Sequence, residues 1–130
     1  MSLKTVCFII LAAASCSSSP AAPSAEVPLG REFSLKPGES ATIESTDLRI
    51  TFLNVVSDSR CGVDVVCVQA GDAVVALHVG NAGVELRSNS APQTAVGSYL
   101  LRLERVEPDA RSDRRIAPGD YRAILKVTRP

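Results

Sequence analysis

The chain has 130 residues, with 14 basic and 14 acidic side chains, a single histidine, no tryptophan and 4% aromatic residues. That length gives one domain rather than two, and a formal net charge of zero offers no basic face of the kind that nucleic-acid binding needs. One histidine also excludes a histidine-rich metal centre and the two-histidine ligand set of a blue-copper site.

Residues 1–15, MSLKTVCFIILAAAS, place Lys4 ahead of an uncharged apolar run from Val6 to Ala14. The run is too short to span a bilayer, which takes roughly 20 residues, and it passes into small residues, so it reads as an export signal. The stretch Leu11-Ala12-Ala13-Ala14-Ser15-Cys16 resembles a lipobox, with Ala13 where leucine is usual. Small residues let an extended chain enter the processing peptidase, and the cysteine thiol accepts a diacylglycerol, which makes Cys16 the expected lipidation site. Each buried acyl methylene contributes about 0.8 kcal/mol, so two or more chains anchor stably. The competing reading is ordinary signal cleavage after Ala22 or Ala25, leaving a soluble periplasmic protein. By resemblance to Gram-negative lipoproteins, Ser17 after the cysteine directs the protein to the outer membrane. The expected location is therefore the cell envelope, on the periplasmic face of that membrane.

Residues 16–28 run from Cys16 into SSSPAAPSAEVP, mostly Ser, Pro and Ala with one charge, Glu26. Such a segment lacks core-forming side chains and is expected to act as a tether that contributes nothing to folding.

The folded domain is expected over residues 29–130, where Gly and Pro divide the chain into short segments. Leu48, Ile50 and Phe52 alternate with Arg49 and Thr51, and Asn54 breaks the period, which predicts a bulge or a strand end. Residues 73–79, AVVALHV, are apolar almost throughout, as in a strand covered on both faces. Residues 80–83, GNAG, lie between that run and Val84-Glu85-Leu86-Arg87, which predicts a hairpin. Residues 99–106, YLLRLERV, suit a helix on propensity, but the surrounding glycines and prolines favour a strand. Tyr121, Ala123, Leu125 and Val127 alternate with Arg122, Ile124 and Lys126. Regularly spaced short strands predict a single all-β, antiparallel β-sandwich of about seven strands.

Of the four cysteines, Cys7 lies in the signal and Cys16 is the lipid site, leaving Cys61 and Cys67 in an exported domain. Disulfides form in that compartment. A zinc site would bring cysteines closer in sequence and add further ligands, and a redox dithiol would use C-x-x-C. A structural disulfide is the expectation, and neither a metal nor a cofactor is expected.

The segment from Asp58 to Gly71, DSRCGVDVVCVQAG, resembles the D-S-R-C-P-x-x-V-x-C-V-W-A-G pattern of a family of small, uncharacterised bacterial lipoproteins. Phe33-Ser34-Leu35-Lys36-Pro37-Gly38-Glu39-Ser40 is similar to that family's opening strand and turn. Ile116-Ala117-Pro118-Gly119-Asp120-Tyr121 and Leu125-Lys126-Val127 are similar to its closing strand. The resemblance covers nearly all of residues 31–128 and departs at Gly62, where the pattern has Pro, and at Gln69, where it has Trp. It implies a lipid-anchored β-sandwich with no assigned activity.

The chemistry open to these residues is limited. His78 lies within an apolar strand, where a packed or rim position is the expected role rather than a catalytic base. Asp58 and Asp64 offer paired carboxylates for acid/base work, though beside Arg60 they read better as loop caps or ion-pair partners. The loop from Pro108 to Arg115 carries three Arg and two Asp. It suits contact with lipid headgroups or peptidoglycan carboxylates, but its interleaved acids favour a solvated loop. The expected contact surface is the edge of the cysteine loop, with Asp58, Arg60, Asp64 and Gln69 as candidate partner-binding residues. The function expected is a non-enzymatic, lipid-anchored interaction or structural module, held to the membrane by its lipid and meeting an envelope protein or ligand. A periplasmic protease inhibitor or small-ligand binder is the second reading, and a carboxylate hydrolase the last.

Overall fold

A computed structural model describes residues 25–130. The expected export signal, Cys16 and most of the expected tether lie outside the described residues. Nine strands follow in chain order: β1 (Ala25–Val27), β2 (Glu32–Leu35), β3 (Ser40–Ile43), β4 (Arg49–Asp58), β5 (Ala73–Val79), β6 (Ala82–Arg87), β7 (Gln93–Val96), β8 (Tyr99–Glu107) and β9 (Arg122–Thr128). A single turn of 3-10 helix, Pro118–Asp120, precedes β9. The strands form two sheets, ordered β1-β3-β4-β5-β6 and β2-β9-β8-β7. The architecture is the expected all-β sandwich, with two more strands than expected.

Alternation explains how the sheets meet. Ile43, Ile50, Phe52, Val75, Leu77 and Leu86 from the first sheet, and Leu35, Leu101, Leu103, Leu125 and Val127 from the second, form one core and are almost fully buried. Their period-two spacing turns every one of them to the same side of its sheet. Truncating Phe52, which has no exposed surface, to Ala removes about 3–5 kcal/mol by the usual cavity argument. The break expected at Asn54 is a bulge, not a strand end: the β4–β5 register shifts between Phe52 and Asn54 and again between Val55 and Ser57. Residues 99–106 are strand, as the turn residues around them indicated.

Three expectations need correction. The tether ends earlier than Pro28: Ala25–Val27 pairs in parallel with β3 (Ala25 with Ala41, Val27 with Ile43), and Val27 is buried in the core. Composition hid this strand because its stability comes from docking on a preformed sheet edge, not from its own propensity. The antiparallel expectation fails at this same pairing. Finally, AVVALHV is covered on both faces only at its Val74 end; Ala76 is half-buried and His78 exposed.

Strand direction divides the sandwich into two ends. At the turn end lie residues 28–31, 44–48, 80–81 and 97–98. Gly80 and Gly97 each take positive φ at the first position of a two-residue connection, as a II′ hairpin turn requires. The opposite, loop end carries residues 36–39, 59–72, 88–92 and 108–121.

Candidate functional site

The β4–β5 connection, residues 59–72, is built from its neck outward. Ser59 N–H donates to the Asp72 carbonyl (2.8 Å), and Asp72 N–H donates to Ser59 Oγ (3.0 Å). Gly71 lies flat against this neck. A Cβ there would sit 1.6 Å from the Ser59 carbonyl oxygen, a distance that only glycine avoids. The Asp72 carboxylate accepts from the backbone N–H of Asn89 and Ser90 and from Ser90 Oγ, so the neck also fastens the β6–β7 turn. Those hydrogen bonds hold the Asp72 carboxyl below the usual range.

Above the neck sits a latch. Arg60 Nε and Nη2 donate to the two carboxylate oxygens of Asp58 at 2.9 and 2.8 Å. Its Nη1 donates to the Val106 carbonyl (2.8 Å) and Nη2 also to the Pro108 carbonyl (3.1 Å). Tyr121 Oη donates to Asp58 Oδ2 (2.9 Å). One guanidinium therefore ties the β4 end to the β8 end, and both Asp58 and Arg60 side chains are only 14% exposed. Burial works against the Asp58 charge, but the hydrogen bonds from Arg60 and Tyr121 outweigh it and hold the carboxyl below its ordinary value. The Asp58 hydrogen bonds raise Arg60 in turn. Burial, followed by the bond to Asp58, raises Tyr121.

The tip is held in two ways. Cys61 and Cys67 form the expected disulfide, with their Cα atoms 5.9 Å apart. Asp64 accepts from Ser112 N–H (2.9 Å) and from Ser112 Oγ, and Val63 N–H donates to the Ala110 carbonyl (2.9 Å). The Ser112 bonds lower the Asp64 carboxyl. Gly62, where the family pattern has Pro, is buried at this junction, and a Cβ on it would stand 2.8 Å from Ser112 N. Glycine at this position allows the close approach of the two loops.

The four expected contact residues do not form one site. Asp58 and Arg60 are consumed by the latch, and Asp64 caps the neighbouring loop; of the four, only Gln69 stands exposed with no hydrogen-bond partner among the described residues. Arg60 is corrected from a recognition group to an internal tie, because the carbonyls of Val106 and Pro108 lie within its reach. The loop instead holds out valines: Val63 is 63% and Val65 44% exposed, and Val66 and Val68 are fully exposed. The signal for them was present in the run V-D-V-V-C-V, since a disulfide closing so short a loop leaves no room to bury Val63, Val65 and Val66 inside it.

Beside the tip, residues Asp58, Arg60, Arg111, Arg114, Arg115 and Tyr121 line a shallow cleft of about 340 Å³ together with Ala110 and Ile116. Arg111 pairs with Asp113 at 3.1 Å and Arg114 reaches the same carboxylate at 3.9 Å; Arg115 has no ion-pair partner among the described residues. Among the described residues no group of three or more His, Cys, Asp or Glu is placed to hold a metal ion, and no helix is long and apolar enough to cross a membrane. His78 is exposed on β5, opposite Thr51 and Gly83. Compared with family models, curated proteins and solved structures, the chain finds no match.

Proposed function

We propose that this protein is a non-enzymatic, lipid-anchored interaction module of the bacterial cell envelope, and that the disulfide loop 61–67 with its flanking Val68 and Gln69 is its contact surface. The observation that carries this reading is the opposition between latch and tip. A neck, a guanidinium tie, a carboxylate cap and a disulfide fix the loop, and what they fix in place is a set of exposed valines. Apolar side chains held rigidly in water mark an interaction surface, and rigidity lowers the ordering cost of binding. A catalytic reading has less support. Asp58 and Asp64 are both held in the charged form by donors, which suits neither for carrying a proton at neutral pH.

The test is in-cell crosslinking with a photoreactive residue at position 66 or 69, against controls at Arg122 and Lys126 on β9. Capture from the loop positions alone is the expected result. Equal capture from both places, or none, sinks the contact surface. Turnover that disappears with Asp58→Asn or Asp64→Asn while the fold persists would reverse the non-enzymatic reading.

A further inference from the structure

We propose that the loop end docks on the anionic phospholipid surface of the membrane that carries the lipid anchor, with Val66 and Val68 entering the boundary between headgroups and acyl chains. This rests on the lipoprotein reading above and adds an orientation and a ligand class to it.

Three observations converge. The first is the direction of entry. β1 runs parallel to β3 and antiparallel to β4 through it, so the chain reaches Ala25 from the loop end. Ala25 aligns with Ala41, Ile50 and Val79. The level of Asp58 is that of Ala73, six residues along β5, or about 20 Å at strand rise. Residues 16–24 reach at most about 30 Å when extended. An anchor at Cys16 can therefore lie level with the disulfide loop without a reversal of the chain, whereas the turn end demands one just before Ala25.

The second observation is shape. Val66 and Val68 are fully exposed and line none of the clefts on the described surface. A protrusion of small apolar groups suits a fluid that closes around it, while a shaped protein partner matches a groove or a flat patch. The third is charge placement. The cleft beside the tip gathers Arg111, Arg114 and Arg115, and the Val63–Ala110 and Asp64–Ser112 bonds hold that loop to the tip. Guanidiniums next to an inserting apolar tip meet lipid phosphates, which they bind through paired N–H donors. The interleaved Asp113 occupies Arg111 and partly Arg114, leaving Arg115 as the freest donor. The tether makes the contact intramolecular, so a modest affinity is enough to keep it formed.

The chain contains no tryptophan, so Val66→Trp supplies a unique fluorophore on a side chain that packs against nothing. Asn81→Trp puts the same probe in the exposed β5–β6 turn at the other end. Both full-length chains are expressed in a bacterial host and reconstituted into vesicles of phosphatidylethanolamine and phosphatidylglycerol with brominated acyl chains. Flotation and intact mass read the anchor, and bromine quenching reads the loop. Both proteins should float and carry acyl mass, with emission from the loop probe falling by about half or more while that from the turn probe holds. Val68→Asp added to the Val66→Trp chain, and separately Arg114→Ser with Arg115→Ser, should each restore most of that emission. A floating, acylated chain whose loop probe is no more quenched than the turn probe overturns the docking and leaves the anchor standing, as does capture of one protein from position 66 in cells with the loop probe unquenched. A chain that neither floats nor carries acyl mass overturns the anchor, and the docking with it.

Discussion

At the turn end, β5 returns as β6 and β7 as β8 through two residues each, with a glycine taking the positive φ. At the loop end the same sheets are joined by residues 59–72 and 108–121. Connections of that length, with no regular structure beyond the one 3-10 turn at Pro118–Asp120, are uncommon in small domains and usually serve function. The turn end shows that chain reversal in this sandwich needs almost nothing. The depressed carboxylates, Asp58, Asp64 and Asp72, all belong to the loop end, and so does the disulfide. Side-chain ties there do the work that short turns do elsewhere.

The comparison breaks most visibly at glycine. Gly71→Ala places a methyl on the Ser59 carbonyl and should cost about 3 kcal/mol, at the upper end of overpacking penalties. Gly80→Ala has open space around it and only positive φ to oppose it, so about 1 kcal/mol is expected. Urea midpoints of the two variants decide this. Equal losses would mean that the neck of the loop end is no tighter than a hairpin turn.

Next in size is the crosslink. Replacing Cys61 and Cys67 together by Ser should cost about 2 kcal/mol on the chain-entropy argument for so short a loop. Because the core lies elsewhere, the reduced domain should still unfold in one transition. Mass spectrometry after alkylation without reduction should find neither cysteine labelled in the native protein.

Asp58→Asn sharpens the comparison through pH and should cost about 1.5 kcal/mol at pH 7, the lower end of the net worth of a hydrogen bond to a charged group. In the folded chain Asp58 titrates below its ordinary value, while the unfolded carboxyl takes up its proton near pH 3.9. The unfolded state thus binds the proton more readily, so the stabilisation is complete above about pH 5 and is lost as pH falls through the folded pKa. Unfolding curves at pH 7 and pH 3 should show the gap between wild type and Asp58→Asn closing in acid. A gap that stays constant would make the latch a matter of packing.

What the sequence disclosed follows the same division. In β4 and β9, alternation against a single core was readable because side-chain period and burial coincide, and the misfit at Asn54 marked a real bulge. The Cys61–Cys67 bond was readable because no other cysteine remained in the folded part. β1 was not readable: three residues in a Pro/Ser/Ala setting pair only because β3 offers an edge. Nor was the division of labour within DSRCGVDVVCVQAG. Whether Arg60 faces a partner or the Val106 carbonyl depends on a contact 46 residues away, and no local pattern encodes it. Asp58 and Asp64 serve as the ion-pair partner and loop cap that their setting suggested, but Arg60 is a fastener rather than a recognition group, and the fold turns Gln69 and the valines outward.

The smallest expected effect on stability belongs to those valines. Val66 and Val68 are fully exposed, so Val66→Ser with Val68→Ser removes no buried surface and opens no cavity. The change should stay within about 0.5 kcal/mol, as for surface positions free of special contacts. The disulfide, the Asp64 cap and the Arg60 tie are untouched, so the loop should keep its shape and its cysteines their resistance to alkylation. Crosslinking from position 69 should nonetheless fall sharply, since each serine exchanges the apolar group that was to be buried for one that prefers water. Loss of contact at constant stability is what a surface kept for binding predicts. If the double variant instead loses stability comparable to the disulfide variant, the valines pack on something within the domain, and the distinction between fasteners and contact surface fails at the tip where it was drawn.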